Sequence, residues 1–177
     1  YDFDELGISV CSVSGTNFLP FVKLIGQEAI DIPFAIITDF DPPENGSGLG
    51  EYRVLKLLNE ILGDDEFKKY DRTKLLKMAP KFGIFLGEHC LEVDLFKNGQ
   101  HESMYKTILE LSENSSAIDR AKEWLKNPES IDATRFIKDI TEIGKGRFAQ
   151  RLATNIKISS CPEYIRRAMK YVSDKCR

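Results

Sequence analysis

The sequence predicts an α/β fold in which a mainly parallel sheet is flanked by helices and accompanied by an additional helical subdomain. Up to residue 97, short apolar runs alternate with segments of helical periodicity, a pattern typical of parallel sheets with right-handed crossovers. Beyond residue 97 the sequence is helix-like almost throughout. A length of 177 residues allows one full core and an inserted subdomain, but leaves little room for a second large domain.

The chain opens with a predicted strand, a helix and a second strand. Ile8–Val13 is short, rich in β-branched residues and bounded by glycine, which favours a strand. Asn17–Glu28 has apolar side chains at helical spacing, and Pro20 is tolerated because it falls in the first turn. Pro33–Thr38 is a near-continuous apolar run, which predicts a central parallel strand buried on both faces.

A loop, two helices and another strand are predicted next. Pro42–Gly50 is rich in proline, glycine and serine and should form an exposed loop. Tyr52–Leu62 has strong helical periodicity and is followed by Gly63 as a C-cap. Thr73–Met78 predicts a second short helix, and Phe82–Leu86 a strand.

Leu91–Phe96 is predicted to be a further strand because apolar and acidic residues alternate along it. Side chains of a strand point to opposite faces at every second residue. The apolar residues would therefore face the core, and Glu92 and Asp94 would share the opposite face.

Helices are predicted from Met104 onward, with polar breaks at residues 112–116 and 127–130. Three helix-like segments follow these breaks: Ile131–Ile143, Arg147–Ala153 and Pro162–Val172.

Composition excludes several classes of protein. Apolar residues make up 42% of the chain and charged residues 30%, which is typical of a folded globular domain and not of a disordered one. No apolar run reaches the length of a membrane span, and the acidic first residues are unlike a signal peptide. The four cysteines form no CxxC pair, which favours reduced thiols and a cytoplasmic location. Because the first residue is not Met, the chain is expected to begin inside a longer product.

Net charge is −3 and does not indicate a nucleic-acid surface. Basic residues do gather late in the chain, at Lys145–Arg151 and again at Arg166, Arg167 and Lys170. They could meet phosphates or coat helices with solvated charge.

Two aspartates at the end of an apolar strand are the strongest chemical signal. Asp39 ends the run 33–38 and Asp41 lies two residues on, so both carboxylates can point to the same side of the sheet's carboxyl edge. Ligands bind at that edge in open α/β sheets. Hard oxygen ligands of this kind suit Mg²⁺ or Mn²⁺.

Glu92 and Asp94 would repeat the pattern on their predicted strand. Two acidic pairs could hold two cations about 4 Å apart, as in enzymes that cleave phosphodiester bonds. The alternative is that these two side chains only decorate a solvated face.

Lys145 lies between two glycines ahead of a predicted helix. Small neighbours and a helix N-terminus would let this lysine approach a phosphate and stabilise its developing charge. A solvated lysine on a helix-entry turn remains the alternative. His89 and His101 have no identifiable partner in the sequence and receive no role.

Together these motifs resemble the C-terminal TOPRIM region of the OLD (overcoming lysogenization defect) family, ATPase-coupled nucleases that include the nuclease of the Gabija antiphage system. The similarity covers most of the chain. It lies in four ordered stretches: Ser14–Phe18, Thr38–Pro42, Leu91–Leu95 and Gly144–Ala149.

The resemblance implies a TOPRIM-like fold and a DNA endonuclease that uses two Mg²⁺ or Mn²⁺ ions. The metal ligands would be Asp39, Asp41, Glu92 and Asp94. The catalytic residues would be Lys145, Asp39 and Glu92. It also implies an upstream ABC-type ATPase domain as the site of ATP use, and a possible homodimer. Residues 1–97 would form the TOPRIM-like core, 98–140 a helical insert, and 141–177 the lysine-bearing segment with the helices that complete the core.

One departure from the family pattern is the absence of the Glu-Gly turn that should precede Ile8–Val13. The expected explanation is that the core lacks its first strand and helix because the chain begins downstream of them. A second reading is an inactive TOPRIM-fold module for binding or dimerisation. A third is a haloacid-dehalogenase-like phosphatase, although Pro42-Pro43 stands where that family usually has Gly-Thr.

Overall fold

A computed structural model describes residues 2–13, 15–26, 29–42 and 48–176. The chain divides into two compact units. The sheet unit comprises Tyr1–His89 and Glu163–Arg177, and the helical unit comprises Cys90–Pro162. These boundaries follow packing, and the functional division into residues 1–97, 98–140 and 141–177 stays a prediction.

In chain order, the helices and strands are α1 (Leu19–Ile25), β1 (Ile36–Thr38), α2 (Leu49–Leu62), α3 (Asp64–Phe67), α4 (Arg72–Met78), β2 (Ile84–Leu86), α5 (Leu91–Leu95), α6 (His101–Leu111), α7 (Ser115–Lys126), α8 (Ala133–Ile143), α9 (Lys145–Asn155) and α10 (Glu163–Lys175). Short 3-10 turns at Ala79–Phe82 and Pro128–Ser130 lie between some of these elements.

The sheet unit is built on two parallel strands with helices on both faces. Ile36 lies opposite Ile84, and Thr38 lies opposite Leu86. One face packs against apolar side chains that include those of α2 and α4. On the other face Phe85 packs against Tyr164 and Ala168 of α10. The prediction of a parallel sheet flanked by helices is therefore confirmed, with a small sheet in a mostly helical protein.

The prediction that Pro33–Thr38 is buried on both faces is wrong. In β1 the buried residues Ile36 and Thr38 alternate with Ile37, which is 41% exposed. β2 is the strand with both faces covered, since Ile84 and Phe85 are 0% and 3% exposed.

The predicted strand Ile8–Val13 is also wrong. In the described residues the sheet has two strands, β1 and β2, and residues 8–13 join neither. A strand requires a neighbour to take its backbone hydrogen bonds. Without one, this segment is irregular, and Val10 is 83% exposed.

The predicted strand Leu91–Phe96 is helical instead. Residues 91–95 form α5, in which the Asp94 N–H donates to the Cys90 carbonyl at 3.0 Å. Val93 and Phe96, three residues apart, are both buried, whereas Leu91 is 41% exposed. A run of six residues fits both periodicities, and only burial of the i, i+3 pair distinguishes them.

The other helical predictions are confirmed. α2 ends at Leu62 with Gly63 as its C-cap, and α4 matches the second predicted helix closely. α6 to α10 correspond to the helices predicted from Met104 onward, with breaks where the polar residues occur. Of the predicted loop at 42–50, residues 43–47 lie outside the described residues, and α2 begins at Leu49.

The helical unit has its own core, in which aromatic rings meet edge to face. Phe136 contacts Phe96 at a ring-centroid distance of 5.1 Å and Trp124 at 5.8 Å. Fully buried Gln100 fastens the segment after α9, because its amide donates to the carbonyls of Lys157 and Ser160 at 2.6 Å each. Among the described residues, no helix is long and apolar enough to cross a membrane.

Candidate functional site

The end of β1 carries the two aspartates that the sequence singles out. Thr38 is the last residue of β1, and the partly exposed Asp39 and Asp41 follow it. Asp41 has φ +47°, a left-handed conformation that aspartate adopts more readily than most residues. The two carboxylates thus stand at the carboxyl edge of a parallel sheet, where α/β proteins bind ligands.

Arg53 of α2 braces this strand end at three points. Its Nη1 donates to Thr38 Oγ1 at 2.8 Å and to the Asp39 carbonyl at 3.2 Å. Its Nη2 forms an ion pair with Asp41 Oδ2. The Arg53 side chain is 13% exposed, so the brace is mostly shielded from water. A planar guanidinium with several fixed donors is suited to such multiple contacts.

The start of α2 lies directly against the same segment. The Gly50 N–H donates to the Phe40 carbonyl at 2.9 Å, which satisfies one of the donors that a helix N-terminus leaves open. A Cβ atom on Gly50 would stand 2.2 Å from the Asp39 carbonyl oxygen. Only glycine allows this approach, and backbone contacts therefore fix the strand end relative to α2.

Glu88 is a site candidate that reasoning from the sequence missed. The segment after β2 continues beside the end of β1, because the Gly87 N–H donates to the Thr38 carbonyl and the Phe40 N–H to the His89 carbonyl, both at 2.9 Å. The exposed Glu88 lies between these two contacts. The signal was available: Glu88 follows a predicted strand, as Asp39 does. The alternation of apolar and acidic residues in Leu91–Phe96 instead indicated Glu92 and Asp94 as the second acidic pair.

The other predicted site residues belong to the helical unit. Lys145 is the first residue of α9, and its Nζ lies 3.5 Å from Glu92 Oε1 of α5. Asp94 is 2% exposed. Because successive residues of a helix are about 100° apart, Glu92 and Asp94 do not share a face as the strand prediction required. The structure thus places Asp39 and Asp41 at the same strand end and pairs Glu92 with Lys145.

The chemistry of the sheet-edge carboxylates fits a hard divalent cation. Mg²⁺ is commonly held by one or two carboxylates, with waters completing its octahedral shell. Asp39 and Asp41 supply such a pair, and Arg53 engages one oxygen of Asp41, so the second oxygen can serve as a ligand. In the described ranges, no three His, Cys, Asp or Glu side chains are grouped closely enough to hold an ion.

A family model described as "Overcoming lysogenization defect protein-like, TOPRIM domain" matches residues 1–41, a range that ends at Asp41. β1 and the acidic segment at its end thus lie within the range that matches a TOPRIM domain.

Solved structures extend this similarity over the rest of the chain. The C-terminal region of the Burkholderia pseudomallei OLD protein is 36% identical, with a TM-score of 0.92 over 99% of this chain and 86% of that one. The C-terminal region of the Xanthomonas campestris pv. campestris OLD protein, phased with mercury, is 38% identical, with a TM-score of 0.85 over 98% of this chain and 83% of that one. No curated protein matches the chain in sequence. The chain belongs to the OLD family and corresponds to its C-terminal region.

Proposed function

We propose that this chain is the catalytic part of a divalent-metal-dependent DNA endonuclease, with Asp39 and Asp41 as its central metal ligands. The observation that carries the proposal is the pair of carboxylates at the end of β1, braced by Arg53. Membership of the OLD family, whose TOPRIM region is consistent with nuclease activity, supports the same reaction class.

Each residue of the proposed site has a distinct task. Asp39 and Asp41 would hold Mg²⁺ or Mn²⁺ directly. Glu88 at the adjacent strand end is not grouped with them closely enough to be a third direct ligand, and it would act through the waters of the ion. When bound, the cation supplies Lewis-acid stabilisation of phosphate oxygens and lowers the pKa of water. Arg53 keeps Asp41 in its left-handed conformation, so that its carboxylate is oriented before the cation arrives.

Lys145 and Glu92 are proposed to serve the phosphate. The Lys145 ammonium stands at the first residue of α9, where the helix dipole also favours an anion. Glu92 holds this ammonium at 3.5 Å and limits its orientations. A metal role for Glu92 and Asp94, two ions, ATP use by an ABC-type domain elsewhere in the protein, and dimerisation stay predictions of the family resemblance.

One observation favours a second candidate, a TOPRIM module that binds without cleaving. Arg53 already neutralises Asp41, and a guanidinium beside a metal ligand opposes the approach of a cation. If that ion pair persists in solution under saturating Mg²⁺, the domain would bind or dimerise without catalysis.

Asp39→Ala tests the proposal directly. We expect Mn²⁺- or Mg²⁺-dependent nicking of supercoiled plasmid by the purified protein to fall at least about 1,000-fold, since the site loses a ligand that acts on the transition state. Asp119→Ala, an exposed aspartate of α7, is the matched control and should cleave normally.

Calorimetric titration with Mn²⁺ separates the two candidates. Binding by the wild type that Asp39→Ala removes, together with nicking, supports the nuclease. Equal nicking by both proteins would contradict it. In the full-length protein, a wild type that neither binds Mn²⁺ nor nicks DNA would assign the domain to the non-catalytic class.

A further inference from the structure

A cavity of about 410 Å³ lies between α1 and α2 in the sheet unit. Its volume falls in the range of about 300–1,000 Å³ that is usual for small-ligand sites. Its walls are mainly apolar and include Phe18, Leu49 and Tyr52. We call this cavity the α1–α2 pocket.

Two cations line the α1–α2 pocket, and no carboxylate is among its described lining residues. Lys56 is exposed, and Arg53 is the residue that also holds Asp41. Because one arginine lines the pocket and contacts Asp41, a ligand in the pocket would sit beside the proposed acidic site.

The pocket also presents large apolar side chains to water. Tyr52 is 68% exposed and Leu49 is 62% exposed. An exposed aromatic ring next to cations is the combination with which proteins bind unpaired nucleotides, since any base can stack on the ring while the cation meets the phosphate. Bases inside a duplex do not expose the faces that this stacking requires.

We propose that the α1–α2 pocket binds an unpaired nucleotide of the DNA strand that the neighbouring acidic site cuts. The base stacks on Tyr52, and Lys56 neutralises a flanking phosphate. The substrate class is therefore DNA with a single-stranded or frayed segment. This inference rests on the proposed function for its substrate, but binding to the pocket does not require cleavage.

Binding can be measured without catalysis by fluorescence anisotropy in EDTA, with a labelled oligothymidylate of about eight nucleotides, a length within the site sizes of single-strand-binding proteins. We expect Tyr52→Ala to weaken binding about tenfold, because stacking on one aromatic ring is lost. Tyr52→Phe, which keeps the ring, should bind like the wild type. Leu109→Ala on α6 removes another apolar side chain, 51% exposed, and should leave binding unchanged.

Lys56→Ala gives a second readout. The slope of log affinity against log salt should flatten by about 0.7, the value for one phosphate contact on single-stranded DNA. Lys122→Ala on α7, also exposed, should keep the wild-type slope. A structural defect would not change the salt slope selectively.

Three results would overturn the pocket proposal. Tyr52→Ala could bind the oligonucleotide as tightly as Leu109→Ala does, or it could lose affinity equally for a blunt duplex of the same length. The third result would come from sedimentation: a wild-type dimer that Tyr52→Ala dissociates without a change in DNA affinity. The α1–α2 pocket would then be a contact surface for a second copy of the chain.

The two proposals fail separately. If the wild type does not nick DNA but Tyr52→Ala loses oligonucleotide binding, the pocket stands without the nuclease. If Asp39→Ala abolishes nicking but Tyr52→Ala binds normally, the nuclease stands without the pocket.

Discussion

The sheet unit and the helical unit hold their acidic side chains in different ways. In the sheet unit, Asp39 and Asp41 follow a strand whose end is fixed by backbone hydrogen bonds and by Arg53. In the helical unit, Glu92 and Lys145 stand on two helices and meet through a single ion pair, with Lys145 56% exposed. Backbone hydrogen bonds fix a position more narrowly than one partly exposed ion pair does, and the proposed metal site is therefore placed in the sheet unit.

Among the tests of this difference between the two units, the largest effect is expected from comparing Glu88→Gln with Glu92→Gln. Glu88→Gln should reduce metal-dependent nicking about 100-fold and weaken Mn²⁺ binding, because a carboxylate that orients the waters of the ion at the sheet edge is lost. Glu92→Gln should lower nicking about tenfold and leave Mn²⁺ affinity unchanged, because only the partner of Lys145 is lost. The readouts are initial nicking rates and calorimetric titration. The reverse order would restore Glu92 as the metal ligand that the sequence predicted.

A smaller effect concerns the stability of the helical unit. Asp139 of α8 is 1% exposed and receives two hydrogen bonds from Arg120 of α7, at 2.7 and 2.9 Å. Arg135 lies 3.3 Å from the same carboxylate. Arg120→Ala should lower the free energy of unfolding by about 3 kcal/mol, since it leaves a buried carboxylate with one remaining partner.

Urea unfolding measures this change, and hydrogen exchange locates it. Arg166→Ala is the control: its side chain is 63% exposed, and the loss should stay below about 0.5 kcal/mol. We expect faster exchange in α7 and α8 and unchanged exchange in β1 and β2. Equal loss of protection in both units would show that they unfold as one, contrary to their division by packing.

The smallest expected effect is a pH dependence in the helical unit. Arg151 of α9 donates to Glu110 of α6 at 2.5 Å, and this hydrogen bond, followed by one from Asn155, holds the pKa of Glu110 below its usual range. Because the folded state lowers this pKa, the pairing stabilises the fold above the usual carboxyl pKa of about 4.3, and that contribution disappears as pH falls through the folded value.

Glu110→Gln isolates this contribution. The melting temperature of the variant should lie slightly below that of the wild type at pH 7, and the difference should shrink as the pH is lowered below about 4. Glu113→Gln, at an exposed carboxylate just after α6, is the matched control for the loss of one charge in this region. A difference that persists at pH 3 would mean that packing, and not the charge, stabilises this contact.

Much of the fold was predictable from the sequence because helical periodicity is maintained over long segments. α2, α6 and α10 were recognisable from ten or more residues of pattern. Short segments were less secure. Residues 8–13 have strand composition, but a strand needs a partner, and no composition shows whether one is present. The apolar residues of 91–96 fit both the period of a strand and that of a helix. The burial of Val93 and Phe96 in the helical unit corresponds to the helix.

The candidate site, too, was predictable from the sequence only in part. Asp39 and Asp41 follow from a general rule about strand ends, which needs no tertiary contact. Arg53 lies 14 residues from Asp39 in the chain, and nothing in the neighbouring sequence distinguishes it from an arginine that only faces solvent. Its contacts arise from the packing of α2 on the strand end. Glu88 could have been found by applying the strand-end rule to β2.

The contact between Gly50 and the Asp39 carbonyl also provides a way to recognise related sites in sequence data. Glycine stands nine residues after Asp41 and three residues before Arg53. The first of these positions can carry no side chain, because it approaches the Asp39 carbonyl closely. The second, one helical turn later, must carry a guanidinium group. A signature built from Asp-x-Asp, this glycine and this arginine would separate chains with the same braced strand end from the many sequences that carry paired aspartates by chance.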